Sequence, residues 1–189
     1  MKLEPESRLS LAYKYMVSKH GLQKRKDGEY YIEHPKRTSM NVFMFKSGSY
    51  QIENLMIIGL LHDIIEDTNG TYEDIKSEFG ELVADVVQEL TSISKSEMES
   101  KGETKQLYLA KKMVDMTEYA LVVKLCDRLD NIKTLEGLDD GDGKFKYRQL
   151  KDTEYILDYL YKKRMFLTKT HHVLMKEIQK AMDSYKPVA

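Results

Sequence analysis

The distribution of proline constrains this chain more than any other feature of its sequence. Only three prolines occur in 189 residues, and none lies between Pro35 and Pro187. Because proline removes a backbone donor and clashes with the preceding turn, its absence permits long uninterrupted helices. Apolar residues recur at helical spacing through most of the chain, as at Leu9, Tyr13 and Met16. No apolar run alternates with a period of two, so we predict an all-α, single-domain helical bundle.

Glycines and capping residues set the predicted helix ends. Thr71 with Asp74 forms a start signal, and Gly80 a stop signal. The helices are expected at about residues 9–21, 35–48, 51–67, 71–80, 81–90, 105–113, 118–135, 147–167 and 171–185. The Ser-, Lys- and Glu-rich segment Ser92–Thr104 predicts a mobile loop within one domain spanning residues 1–189. Aspartates at 139, 140 and 142 favour a solvated turn over a calcium loop, because the later glutamate of that motif is missing.

Charge and cysteine content exclude several classes of protein. Thirty basic and 31 acidic residues leave a net charge of −1, which argues against a protein that coats nucleic acid. The single cysteine, Cys126, excludes an internal disulfide and a cysteine-based zinc site, and its apolar surroundings predict burial. No apolar run approaches the length of a membrane span or a signal peptide core. We therefore expect a cytoplasmic protein without membrane or nucleic-acid partners.

One histidine and three carboxylates crowd the segment from His62 to Asp67. His62 and Glu66 are four residues apart, as are Asp63 and Asp67, so each pair would share one face of a helix. Negative charge is unfavourable at a helix C-terminus, and a bound cation would relieve that conflict. A solvated acidic helix end, or an N-capping role for Asp67, explains the same residues. On these residues alone the two interpretations stay open.

Two further groups carry possible chemistry. Asp127 follows a strongly apolar run, so its carboxylate needs a partner, either Lys124 or Arg128 or a metal ion. Three consecutive cations, Lys24 to Lys26, precede a glycine turn and His34. Such a triplet is either solvated surface or a clamp for phosphate oxygens.

Taken in order, these groups resemble the His … His-Asp … Asp signature of the HD superfamily of metal-dependent phosphohydrolases. The segments Tyr31–Pro35, Leu60–Thr68 and Lys124–Leu135 resemble, more narrowly, the hydrolase domain of the RelA/SpoT family. The resemblance extends over roughly Leu9–Tyr161, and the Glu-Asp pair after His-Asp is its specific part. The length of the chain resembles that of the small hydrolase-only members.

This resemblance implies a mechanism and a role for each matching residue. Family members are helical bundles that bind one Mn²⁺, and the matching ligands here are His34, His62, Asp63 and Asp127. The family's water-activating pair matches Glu66 and Asp67, and its nucleotide contacts match Arg25, Lys26 and Asn131. The implied substrates are guanosine 3′-diphosphate 5′-di- or triphosphate, cleaved to GDP or GTP and pyrophosphate. Imidazole and carboxylate ligands suit Mn²⁺, which can activate a bound water.

Two other functions fit the same residues. One is an HD phosphohydrolase acting on another nucleotide or on a phosphorylated dinucleotide cofactor, which releases orthophosphate instead of pyrophosphate. The other is a metal-free nucleotide sensor, but such a protein has no reason to keep several acids at one helix end.

Overall fold

The computed structural model describes residues 6–100, 102–138, 141 and 143–185, and this part of the chain is helical. Its only β pairing is an isolated bridge between Lys24 and Tyr30. The helices are α1 (Arg8–His20), α2 (Glu33–Lys46), α3 (Ile52–Leu61), α4 (Ile64–Asp67), α5 (Tyr72–Phe79), α6 (Glu81–Leu90), α7 (Lys95–Ser100), α8 (Lys105–Asp115), α9 (Glu118–Lys133), α10 (Lys144–Lys163) and α11 (Lys169–Asp183). The predicted all-α class is confirmed.

The chain divides into two compact units, residues 1–91 and 92–189. The first unit comprises α1 to α6, and the second comprises α7 to α11. The expectation of a single domain stays a prediction. The three aspartates at 139, 140 and 142 lie outside the described residues.

Helix α3 is the centre of the first unit, where it contacts α1, α2 and α6. Its residues from Ile57 to Leu61 are all buried, which is the pattern of a helix enclosed on every side. A Cβ added at Gly59 would lie only 2.9 Å from the Cα of Ser39 on α2. The hydroxyl of Ser39 also donates a hydrogen bond to the carbonyl of Met56, at 2.9 Å. Glycine thus allows α2 and α3 to pack backbone against backbone.

Helix α9 forms the core of the second unit and packs against α11 and α10. It is buried at nearly every position from Ala120 to Ile132, and Cys126 is fully enclosed, as predicted. Burial and the charge of Asp127 raise the pKa of the Cys126 thiol. No described helix combines the length and the apolar character that crossing a membrane requires.

Several predicted boundaries shift for identifiable reasons. The predicted helix over 51–67 is wrong in one respect, because it is interrupted after Leu61 and resumes at Ile64. The predicted loop 92–104 contains α7. Just before this helix, the backbone N–H of Ser94 donates a hydrogen bond to the carboxylate of Glu97. The mobility of segment 92–104 stays a prediction. Helix α10 ends at Lys163, before the predicted 167, because Arg164 adopts an extended conformation and donates to the carbonyls of residues 113, 114 and 116.

Candidate metal centre

His62 directly follows α3, and its ring orientation is set locally. Its Nδ1 lies 2.9 Å from the carbonyl oxygen of Gly59. A carbonyl can only accept, so Nδ1 carries a proton, and in the neutral ring Nε2 keeps its lone pair. This is the arrangement in which metal-binding histidines are commonly held, with the second ring nitrogen bonded to backbone. His62 is 1% exposed, so that lone pair lies inside the protein.

His34 lies in the first turn of α2, immediately before Pro35. Proline suits this position because the first helical N–H groups have no helical acceptor. His34 is buried, and its ring centroid lies 5.1 Å from that of His62 at an angle of 72°. The α2–α3 contact therefore brings together two histidines that are far apart in the sequence.

Asp63 completes this cluster from the break between α3 and α4. Its φ of −105° and ψ of 2° lie outside the helical region, in a conformation that active-site residues often adopt. The Oδ2 atom lies 2.9 Å from His62 Nε2 and 3.7 Å from His34 Nε2. One ligand atom from each residue falls within 4.8 Å of the others. Two imidazoles and a carboxylate in this arrangement fit a divalent transition-metal ion, which binds imidazole in its neutral form.

The acid pair lies in the next turn. Glu66 and Asp67 are both exposed and end α4, while the N–H of Asp67 donates to the carbonyl of Asp63 at 2.8 Å. Partial enclosure by protein raises the pKa of Asp67, and the charges of Asp63 and Glu66 raise it further. The pair is therefore next to the cluster in the chain and open to solvent.

Tyr31 is a site residue that the sequence analysis missed. Its hydroxyl lies 2.6 Å from Asp63 Oδ2 and 2.7 Å from Asp67 Oδ2. Burial, followed by the charge of Asp63, raises the pKa of Tyr31, so the phenol keeps its proton. The available signal was its position three residues before His34, where the chain enters α2.

Arg25 and Lys26 lie on a short turn that leads into Tyr31. The N–H of Arg25 donates to the carbonyl of Glu29 at 2.9 Å, and Gly28 takes a φ of 84°, which favours glycine. Arg37 on α2 forms a two-point ion pair with Glu29, at 2.7 and 2.8 Å. Arg25 is half-buried and Lys26 is exposed. The turn is thus anchored to the helix that carries His34.

Asp127 and Asn131 lie on α9, in the second unit. Asp127 is 4% exposed, and its Oδ2 lies 2.9 Å from the ammonium of Lys124, one of the three partners considered from sequence. Asn131 donates to the other carboxylate oxygen of Asp127. The amide therefore orients that carboxylate, and the role of Asp127 as a fourth metal ligand stays a prediction.

The chain is similar to a family model and to several known proteins. A family model described as HD domain matches residues 12–152. The guanosine-3′,5′-bis(diphosphate) 3′-pyrophosphohydrolase of Aquifex aeolicus is 42% identical over 127 residues, and that of Spiroplasma citri is 36% identical over 126. Each alignment covers 66% of this chain but only 17% and 16% of the relatives. The chain thus spans less than a fifth of their length.

Two solved structures share the fold. A metazoan ortholog of SpoT, described as hydrolysing ppGpp, superposes with a TM-score of 0.72 at 22% identity, over 96% of this chain and 97% of that one. The protein lmo0812 of Listeria monocytogenes superposes with a TM-score of 0.59 at 21% identity, over 82% and 98%. At these identities the likeness establishes the fold.

Proposed function

This chain belongs to the HD-domain family, and we propose that it is a Mn²⁺-dependent guanosine-3′,5′-bis(diphosphate) 3′-pyrophosphohydrolase. The proposal includes both the tetraphosphate and the pentaphosphate nucleotide, with GDP or GTP and pyrophosphate as products. Relatives named for this reaction support it, because each aligns with 66% of the chain, at 42% and 36% identity.

The observation that carries the proposal is the buried cluster of His34, His62 and Asp63 with an acid pair in the following turn. The cluster offers nitrogen and oxygen ligands within 4.8 Å of one another, and Mn²⁺ accepts such mixed ligands. Bound there, the ion would lower the pKa of a coordinated water and polarise a phosphoryl oxygen.

Glu66 and Asp67 would orient the attacking water and accept its proton. Both carboxylates are exposed, so water reaches them, and Asp67 is linked to Asp63 through Tyr31. A carboxylate whose pKa is raised toward neutrality is a stronger base than an ordinary one, and the pKa of Asp67 is raised. The two acids differ in their contacts: Asp67 accepts a hydrogen bond from Tyr31, and Glu66 would hold the water.

The basic turn would hold the nucleotide's phosphates. Arg25 offers a planar guanidinium suited to two-point contacts with phosphate, and Lys26 adds a mobile charge. The hydrogen bonds of the turn with Glu29 and its link to Arg37 limit its freedom, which reduces the ordering needed on binding. Asn131 as a nucleotide contact and Asp127 as a ligand are part of the same proposal.

A nucleotide panel tests this function. We expect the purified protein with Mn²⁺ to release pyrophosphate from guanosine tetra- and pentaphosphate, and to lose this activity with a chelator or with His62→Ala. Release of orthophosphate from another nucleotide or a phosphorylated dinucleotide cofactor would support the other HD reaction instead. Nucleotide binding without any product would support a sensor. The expected cytoplasmic location and the absence of nucleic-acid partners stay predictions.

A further inference from the structure

The hydroxyl of Tyr31 contacts two parts of the candidate site, the metal-binding cluster and the acid pair. It reaches the Oδ2 of Asp63 at 2.6 Å and the Oδ2 of Asp67 at 2.7 Å. That same Asp63 oxygen lies 2.9 Å from His62 Nε2. A single phenol therefore contacts both a metal-binding carboxylate and one member of the acid pair.

The ring of Tyr31 is held in place by the C-terminal end of α1. The imidazole of His20, at the end of α1, stacks on it with centroids 4.6 Å apart and planes 25° apart. His20 is 5% exposed, and its Nδ1 lies 2.9 Å from the side-chain oxygen of Gln23. The carbonyl of Gln23 in turn accepts the backbone N–H of Tyr31 at 2.8 Å. Ring and backbone are therefore both constrained.

We propose that Tyr31 is a positioning residue, whose hydroxyl sets the orientation of the Asp63 carboxylate toward the metal and holds Asp67 in register with it. The inference rests on the proposed metal-dependent function. Two neighbouring carboxylates repel, and without a shared donor each can rotate away from the other. The Tyr31 hydroxyl has one proton, which the two carboxylate oxygens share, and the stack on His20 holds the phenol oxygen within hydrogen-bond distance of both.

The expected loss of metal binding can be taken from other proteins in which a residue hydrogen-bonds to a metal ligand. Loss of such a hydrogen bond typically weakens metal binding or activity about 10–100-fold. Tyr31→Phe removes only the hydroxyl, while the stack on His20 and the backbone bond to Gln23 remain. Tyr30→Phe is the matched control, because it makes the same chemical change in a neighbouring ring that is 47% exposed.

The experiment measures Mn²⁺ binding by calorimetry, without nucleotide, on the wild type and both variants. We expect Mn²⁺ affinity to fall about 10–100-fold in Tyr31→Phe and to be unchanged in Tyr30→Phe. Melting curves of the metal-free variants check that both are folded at the temperature of the titration. Bound Co²⁺ should show an altered visible spectrum in Tyr31→Phe alone. At saturating Mn²⁺, kcat should fall while KM for the guanosine nucleotide stays constant.

A second measurement tests the link to Asp67. If the hydroxyl acts through both carboxylates, the loss of kcat in Tyr31→Phe should shrink in the Asp67→Asn background, since residues in one network are not additive. Wild-type Mn²⁺ affinity and an unchanged Co²⁺ spectrum in Tyr31→Phe would overturn the inference, as would strictly additive losses of kcat.

The metal titration separates this inference from the proposed function. A wild-type protein that binds Mn²⁺ but releases no pyrophosphate would defeat the proposed reaction. In that case the weaker Mn²⁺ binding expected of Tyr31→Phe would still uphold the role of Tyr31.

Discussion

Replacing Gly59 with alanine tests whether the close contact between α2 and α3 sets the distance between the two histidines. The added Cβ would lie 2.9 Å from the Cα of Ser39 and 3.1 Å from its backbone nitrogen. Carbon atoms ordinarily pack about 3.5–4.0 Å apart. Since the contacted atoms belong to backbone, the two helices must separate by roughly half an ångström to relieve the clash.

The expected loss of stability is the difference between two effects. Overpacking a helix contact costs about 1–3 kcal/mol, and alanine recovers about 1 kcal/mol of helix propensity over glycine. We expect a net loss of roughly 1 kcal/mol, which lowers Tm by about 2–4 °C for a chain of this length. Metal binding should suffer more, because metal–ligand distances tolerate only about 0.2 Å, and His34 moves with α2 while His62 moves with α3. A loss of at least about tenfold in Mn²⁺ affinity is expected, comparable to that for an outer hydrogen bond.

Thermal melts of the metal-free protein and calorimetric Mn²⁺ titrations measure both effects. Gly48→Ala is the control, because a Cβ there meets nothing within 4 Å and its φ is not in the left-handed region. Equal Mn²⁺ affinity in Gly59→Ala and Gly48→Ala would refute the reasoning, because the α2–α3 contact would then not determine the spacing of the histidines.

Three further predictions concern single side chains. Glu66→Gln cannot act as a base, so kcat should fall about 10²–10⁴-fold while Mn²⁺ content, measured by metal analysis, stays at the wild-type level; loss of the metal would make Glu66 a ligand instead. Arg25→Ala should weaken nucleotide binding, measured as KM, more than it lowers Tm, because a surface cation contributes little to stability but a phosphate contact is charge-assisted; an unchanged KM would leave the turn as solvated surface. Because burial raises the pKa of Cys126, its thiol should react with a chromogenic disulfide only after unfolding in denaturant. Rapid labelling of the native protein would contradict that burial.

Local signals were sufficient for most helix ends. The N-cap predicted at Thr71 is present, and Asp74 completes it as a capping box with both hydrogen bonds. Gly21 and Gly80 close their helices at positive φ. These features depend on contacts within a few residues, so the sequence alone carries the information. By the same reasoning, the end of α10 escaped prediction, because Arg164 is held by carbonyls about 50 residues earlier.

In the candidate site, too, local signals indicate some features, and long-range contacts set the others. Residue types and spacing marked His62, Asp63, Glu66 and Asp67 as candidates for metal binding or catalysis, but a solvated helix end explained them equally well. The role of His34 as a ligand, and the role of each of the others, came from the resemblance to the RelA/SpoT family and stays a prediction. Their arrangement could not be predicted. The break at Asp63 was missed because propensity and apolar spacing both favour a continuous helix there.

The all-α class, most helix ends and the candidate groups of the site follow from local backbone preference or from residue type, which can be read along the chain. The close approach of α2 and α3 at Gly59, which brings two buried histidines together, depends instead on tertiary packing. Tertiary packing also brings the Tyr31 hydroxyl to Asp63 and Asp67, which lie 32 and 36 residues further along the chain. Such contacts arise from the packing of whole helices, and no spacing within one helix encodes them.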